Sequence, residues 1–197
     1  MTSDRKSLAT IASVLALGAA TVAGYLVWAG PDDESVRFLL RLSARVAFAV
    51  FVLVFIARPL FQLLPTPLTR GLLRSRRQLG LTVGALMALH LGLIGWRFGS
   101  SAEFNLDASA IFGAVSYTFM ALMVLTSFDA AARFIGPKLW RRLHGIGIWF
   151  IAIPFVSTLL PETREQLLEP EYIGFTLLIA VAAVIRLTAF FAQRQGN

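Results

Sequence analysis

The sequence predicts an all-α integral membrane protein, a six-transmembrane-helix bundle forming a single domain over residues 1–197, with the N- and C-termini cytoplasmic. Three observations carry this. The chain is 57% apolar and only 15% charged, whereas a soluble domain has about a quarter charged residues and under half apolar. Six apolar segments each approach the roughly 20 residues that cross a bilayer. The connections between them alternate in charge, as the positive-inside rule requires of a multi-pass chain.

The expected spans are 7–30, 36–58, 77–98, 108–128, 140–160 and 171–192. The first follows Arg5 and Lys6 and is uncharged from Ser7 to Pro31. Its apolar run exceeds the roughly 7–15 residues of a cleaved signal core, so it reads as a retained helix. The second contains Arg41 and Arg45, and the sixth contains Arg186. The third, fourth and fifth are uncharged over Gln78–Trp96, Ala108–Phe128 and Leu143–Pro161. Pro65-Thr66-Pro67 breaks the second connection, and the weakly amphipathic stretch Leu60–Leu73 is expected along the cytoplasmic interface. Pro154 is expected to kink the fifth span.

Asp32, Asp33 and Glu34 separate spans one and two, and Arg58, Arg70, Arg74, Arg76 and Arg77 separate spans two and three. Glu103 and Asp107 come next, then Arg133, Lys138, Arg141 and Arg142, then Glu162, Glu165, Glu169 and Glu171. The net charge of +7 therefore reads as basic cytoplasmic loops at a lipid surface, not as a nucleic-acid footprint. With no cysteine in the chain, disulfides, iron–sulfur clusters and thiolate chemistry are excluded. The absence of a phosphate-binding loop, a zinc-protease helix and a nucleophile elbow removes the commonest enzyme signatures.

A few residues need explaining. His90 lies 13 residues past Arg77, about 20 Å into the third span. An ionisable group at that depth is a functional candidate, or a neutral histidine bonded to a neighbouring helix. His144 begins the fifth span beside Gly145 and Gly147, whose missing side chains suit a large flat ligand or close helix packing. Arg45 lies near mid-bilayer, and no span carries an acid at that depth, so its expected partner is water or a ligand carboxylate. Gly80, Gly84, Ala88 and Gly92 form a small-residue stripe assigned to helix packing. Met87, Met120 and Met123 are soft side chains read as packing.

Arg76-Arg77-Gln78-Leu79-Gly80-Leu81 followed by Leu89-His90 resembles the RRxLGL…LH pattern of helix three in the ferric-reductase-like transmembrane superfamily. Leu125-Thr126-Ser127 followed by Trp140-Arg141-Arg142-Leu143-His144 resembles its LTS…WxxLH pattern, and Arg45 stands where the family has an arginine ahead of a proline, here Pro59. The resemblance covers about residues 36–160, nearest to the haem-binding membrane subunits of bacterial methionine sulfoxide reductase systems.

The resemblance implies b-type haem between helices three and five, with His90 and His144 as iron ligands and Arg45 toward a propionate. It implies a multi-pass subunit of the bacterial inner membrane that moves electrons outward and depends on partners to complete an enzyme. The donor would be a separate flavin reductase or a quinol, possible quinone binding included, with no covalent flavin, and the acceptor a periplasmic oxidoreductase. Two positions depart from the pattern. Ser157 and Thr158 stand where a second helix-five histidine is expected, and Arg76 occupies the ligand position 14 residues before His90. One or two haems with incomplete ligation follow, Ser157 marking the lost outer ligand and Arg76 the vacant inner one. The competing readings are a haem-free scaffold of the same fold and a small-molecule transporter.

Overall fold

A computed structural model describes residues 2–99, 108–160 and 170–195. It is all-helical over those residues: α1 (Thr2–Ala29), α2 (Asp33–Leu63), α3 (Pro67–Phe98), α4 (Ala108–Leu125), α5 (Asp129–Leu159) and α6 (Pro170–Gln195). Among the described residues, α1, α2, α3, α5 and α6 are long and apolar enough to cross a membrane. The fourth helix is apolar but has 18 residues, about 27 Å at 1.5 Å per residue.

The helices start where the local chemistry directs. Asp32 caps α2, its side chain accepting the Ser35 N–H at 2.7 Å. Thr66 caps α3 in a reciprocal box with Thr69, and Pro67 fills the first helical position, where a missing N–H is harmless. Leu60–Leu73 is consequently not a helix of its own. Its first residues end α2, its last begin α3, and the capped turn at 64–66 takes the whole reversal. In α5 the backbone leaves helical geometry at Gly136, with φ +75°, and not at Pro154, which sits inside the helix. Gly136 accepts the left-handed region because it has no Cβ, and Pro137 follows without an N–H to offer the preceding turn.

The second helix is the hub. It packs along α3 and α6 and touches α1 and α5, while α1 lies on α3 and α4 on α5. The core is built from Phe48, Phe51 and Val52 of α2, Val83 of α3, Met120 of α4, and Ile148, Ile151 and Phe155 of α5. Phe155 meets Phe48 and Phe51 at centroid separations of 5.6 and 5.4 Å. The outer faces of the helices stay apolar and exposed, as lipid contact requires.

Both described chain ends lie at one end of the bundle. Arg77, at the start of α3, binds Asp4 of α1 at 2.6 Å and Asp129 of α5 at 3.0 Å. Gln193, near the end of α6, donates to Gln62 of α2 at 2.6 Å. At the opposite end Arg97 meets Asp33 at 2.8 Å, and Tyr25 stacks on Phe38. Asp4 and Asp129 are the two acids that fall on the basic side of the chain, and they share one arginine.

The Asp129 backbone N–H and then the Arg77 guanidinium hold the Asp4 carboxyl below the usual aspartate range. A carboxyl lowered in the folded state contributes stability above its unfolded value, about pH 4, and loses it as pH falls through the folded value. Wild type should therefore melt above Asp4→Asn at pH 6, and the gap should close below about pH 4. A gap that persists in acid would assign the effect to packing. The difference should be small, because the pair is partly exposed and screened.

Candidate functional site

The cavity wall is made by α3 and α5, which are not among the packed helix pairs; α4 and α2 close its sides. Its volume is about 350 Å3, within the range of small-ligand pockets. From α3 it takes Arg76, Arg77, Gly80 and Val83, and from α5 Trp140, His144, Ile148 and Ile151. The space at Gly80 is real: a Cβ built there meets nothing within 4 Å, and the same holds at Gly145. Gly84 and Gly147 are the packing glycines instead, a Cβ at Gly84 falling 2.5 Å from Val124 Cγ2 and one at Gly147 falling 2.6 Å from Met123 Sδ. The stripe Gly80, Gly84, Ala88, Gly92 is thus split, with close contact at Gly84 and open space at Gly80 and Gly92.

His144 is held by two neighbours, Trp140 and Thr126. Trp140 stacks on the imidazole with centroids 4.1 Å apart, and its indole N–H donates to the Thr126 carbonyl at 2.9 Å. The Thr126 hydroxyl donates to the Leu122 carbonyl at 2.7 Å, so its oxygen accepts from His144 Nε2 at 3.1 Å. That arrangement leaves Nδ1 as the basic nitrogen. Thr126 lies within the LTS segment, yet sequence alone gave it no role; its position four residues after Leu122 fixes its hydroxyl.

His90 lies elsewhere. Its Nδ1 meets Ser43 Oγ of α2 at 2.9 Å, and Ser43 donates to the Leu40 carbonyl at 3.0 Å. The imidazole therefore donates through Nδ1 and keeps Nε2 basic. It does not line the cavity, and it stands about 15 Å along α3 from Gly80. Arg76 does line the cavity with His144, its Nε donating to the Val54 carbonyl at 3.3 Å. Ser157 is exposed, and its hydroxyl returns to the Pro154 carbonyl of its own helix at 3.0 Å.

Arg45 is engaged within the chain, its guanidinium 5.8 Å over the Phe175 ring of α6. It does not line the cavity. Met120 and Met123 do line it, from α4, whereas Met87 packs against the core. No cluster of three or more metal-binding side chains occurs among the described residues.

The donor set tests whether a haem suits this place. One imidazole lines a slot whose α3 wall opens at Gly80, and among the described residues Arg77 Nε is a buried donor without a partner. These features fit a flat, anionic, iron-bearing ligand held by one histidine; the cavity supplies no second imidazole.

Comparison with known proteins agrees with this architecture. The chain is 32% identical to the "Protein-methionine-sulfoxide reductase heme-binding subunit MsrQ" of Cronobacter sakazakii, over 61% of this chain and 61% of that protein. It is 34% identical to the protein of the same description from Azospira oryzae, over 56% of this chain and 49% of that one. It is 25% identical to an uncharacterized protein of Treponema pallidum, over 97% of this chain and 58% of that protein. The chain thus spans about half to three fifths of the length of these relatives. No solved structure gives a significant match. Residues 43–155, from Ser43 beside His90 to the core residue Phe155, match the family described as "Ferric reductase like transmembrane component", and the chain is a multi-pass membrane protein belonging to that family.

Proposed function

We propose that this protein is a b-type haem electron-transfer subunit of a bacterial inner membrane, carrying electrons from a cytoplasmic donor toward an outer acceptor. The observation that carries the reading is the cavity between α3 and α5, with His144 in its wall and open space at Gly80 opposite. A bound haem supplies a one-electron carrier through its iron. The chain's own residues do the rest. His144 offers the iron ligand, Thr126 and Trp140 fix the plane and tautomer of its ring, and the apolar walls of Val83, Ile148 and Ile151 exclude water. Arg76 lines the same cavity from α3. The reading favours one haem at His144; His90 and Ser157 mark where an outer one would need its ligands. A separate flavin reductase or a quinol is the proposed donor and a periplasmic oxidoreductase the proposed acceptor, by analogy with the sulfoxide reductase subunits above.

Cytoplasmic termini are part of the reading, supported by the chain ends sharing the basic end of the bundle. Reporter fusions after Asp33, Asp107 and Glu165 are expected to report outside, and those after Arg74 and Lys138 inside. Reversal at two or more sites would overturn the orientation.

A haem-free scaffold is the second reading. What favours it is that both imidazoles already have hydroxyl partners within the chain, Thr126 for His144 and Ser43 for His90. The absorption spectrum of detergent-purified protein separates the two. A Soret band with reduced α and β bands supports the carrier, and a flat visible spectrum supports the scaffold.

A further inference from the structure

Between the end of α4 and the uncharged part of α5 the chain makes a short excursion at the basic end of the bundle. Its base is closed, since the Trp140 indole N–H donates to the Thr126 carbonyl at 2.9 Å. Asp129 is held at that level by Arg77, 3.0 Å away, and Arg77 directly precedes the uncharged run of α3. From Asp129 to Ile135 the backbone is helical, it breaks at Gly136, and the helix resumes from Pro137. Six helical steps of 1.5 Å carry the excursion no more than about 10 Å from its base. The polar layer outside the hydrocarbon core is roughly 5–8 Å thick on each side. The excursion therefore runs at headgroup depth.

At that depth it displays cations and apolar side chains together. Phe134 is 91% exposed and Leu139 56%. Each adjoins an exposed cation, Arg133 before Phe134 and Lys138 before Leu139, on either side of the Gly136 joint. Arg141 and Arg142 are exposed one turn further on. No acid occurs from Ala130 to Pro161, and none of the four cations forms an ion pair among the described residues. A basic cluster at a bilayer surface gains affinity for anionic headgroups with every Lys or Arg, and a bare phenyl ring gains from burial at the acyl boundary. An acidic soluble protein would match the charges, but it would have to reach Phe134 inside the headgroup layer. We propose that Arg133, Phe134, Lys138 and Leu139 form a binding site for an anionic phospholipid. The two cations meet its phosphate, and the two apolar side chains enter the acyl boundary. None of the four lines the His144 cavity, so the site stands apart from whatever occupies that cavity.

The test titrates the full-length protein in neutral detergent with phosphatidylglycerol or with phosphatidylcholine of the same acyl chains. Native mass spectrometry reads the binding constant of the first lipid. Wild type is expected to bind phosphatidylglycerol about fivefold or more tighter, the factor that one cation at an anionic surface supplies. Arg133→Gln/Lys138→Gln should remove most of that preference. Arg70→Gln/Arg74→Gln takes the same charge from exposed positions on α3 and should leave most of it. No preference in wild type overturns the site. Equal loss in the two double variants also overturns it, by assigning the effect to overall charge. A second measurement reads depth in a bilayer containing phosphatidylglycerol. The chain has no cysteine, so Phe134→Cys gives a unique attachment point for a nitroxide. The label should relax more with oxygen than with a water-soluble nickel chelate. The reverse order would put position 134 in water, overturn the lipid site, and leave this face to an acidic soluble partner.

Discussion

Replacing His144 with alanine is expected to remove the haem absorbance of the purified protein while insertion and folding survive. His144 is the one imidazole in the cavity wall, and the facing α3 surface offers Arg76, Gly80 and Val83, none of which supplies a second. Wild type should accordingly be five-coordinate and high-spin, and should bind carbon monoxide readily when reduced. The folding cost of the substitution is modest. It forfeits the Thr126 hydrogen bond, about 1 kcal/mol, and the Trp140 stack, about 0.5–1.5 kcal/mol. His90→Ala is the companion measurement and should leave this spectrum in place, because His90 is bonded to Ser43 away from the cavity. An unchanged Soret band and haem-to-protein ratio in His144→Ala would exclude that histidine as the ligand. Loss in His90→Ala alone would move the site to the other half of the bundle.

The pieces legible in the sequence are those that depend on local pattern. Hydropathy marked the apolar segments in which the six helices of the described residues lie, because lipid imposes one rule on every residue of a span. The helix ends were less legible. The second and third helices have 31 and 32 residues, and at 1.5 Å per residue each runs well past a hydrocarbon core of about 30 Å. Hydropathy cannot see those extensions, since they lie in water or headgroups, whereas the Thr66 cap and Pro67 mark the true start of α3. The motif residues Arg76 and His144 meet across one cavity, although sequence spacing gives no distance between different helices. Contacts that join distant segments stayed hidden. Ser43 with His90, Arg186 with Phe55 and Phe175 with Arg45 each depend on the rotation of two helices about their axes. One such signal was available: Asp4 and Asp129 are the exceptions to the charge alternation, and exceptional charges call for a partner, here Arg77.

Two glycines on one face of α3 should respond to the same substitution with opposite signs. Gly80 and Gly84 are four residues apart, so they lie one above the other on the helix. At Gly80 an added Cβ meets nothing within 4 Å and enters the cavity; at Gly84 it falls 2.5 Å from Val124 Cγ2. Gly80→Leu gains about 1 kcal/mol in helix propensity and up to about 1.5–3 kcal/mol from burying its side chain. Gly84→Leu must displace α4 or strain its own rotamer, a cost of about 1–3 kcal/mol. Haem-free Gly80→Leu should therefore melt above haem-free wild type, and Gly84→Leu below it. The comparison needs the haem-free proteins, because a bound ligand raises the wild-type melting temperature by mass action. Haem content should behave differently. Leucine at position 80 occupies the slot facing His144, so Gly80→Leu should lose most of its haem despite its greater stability. Gly84→Leu should lose haem only in proportion to the fraction that fails to fold. A stabilised Gly80→Leu that retains full haem would show that the cofactor lies outside this cavity, whatever ligates its iron.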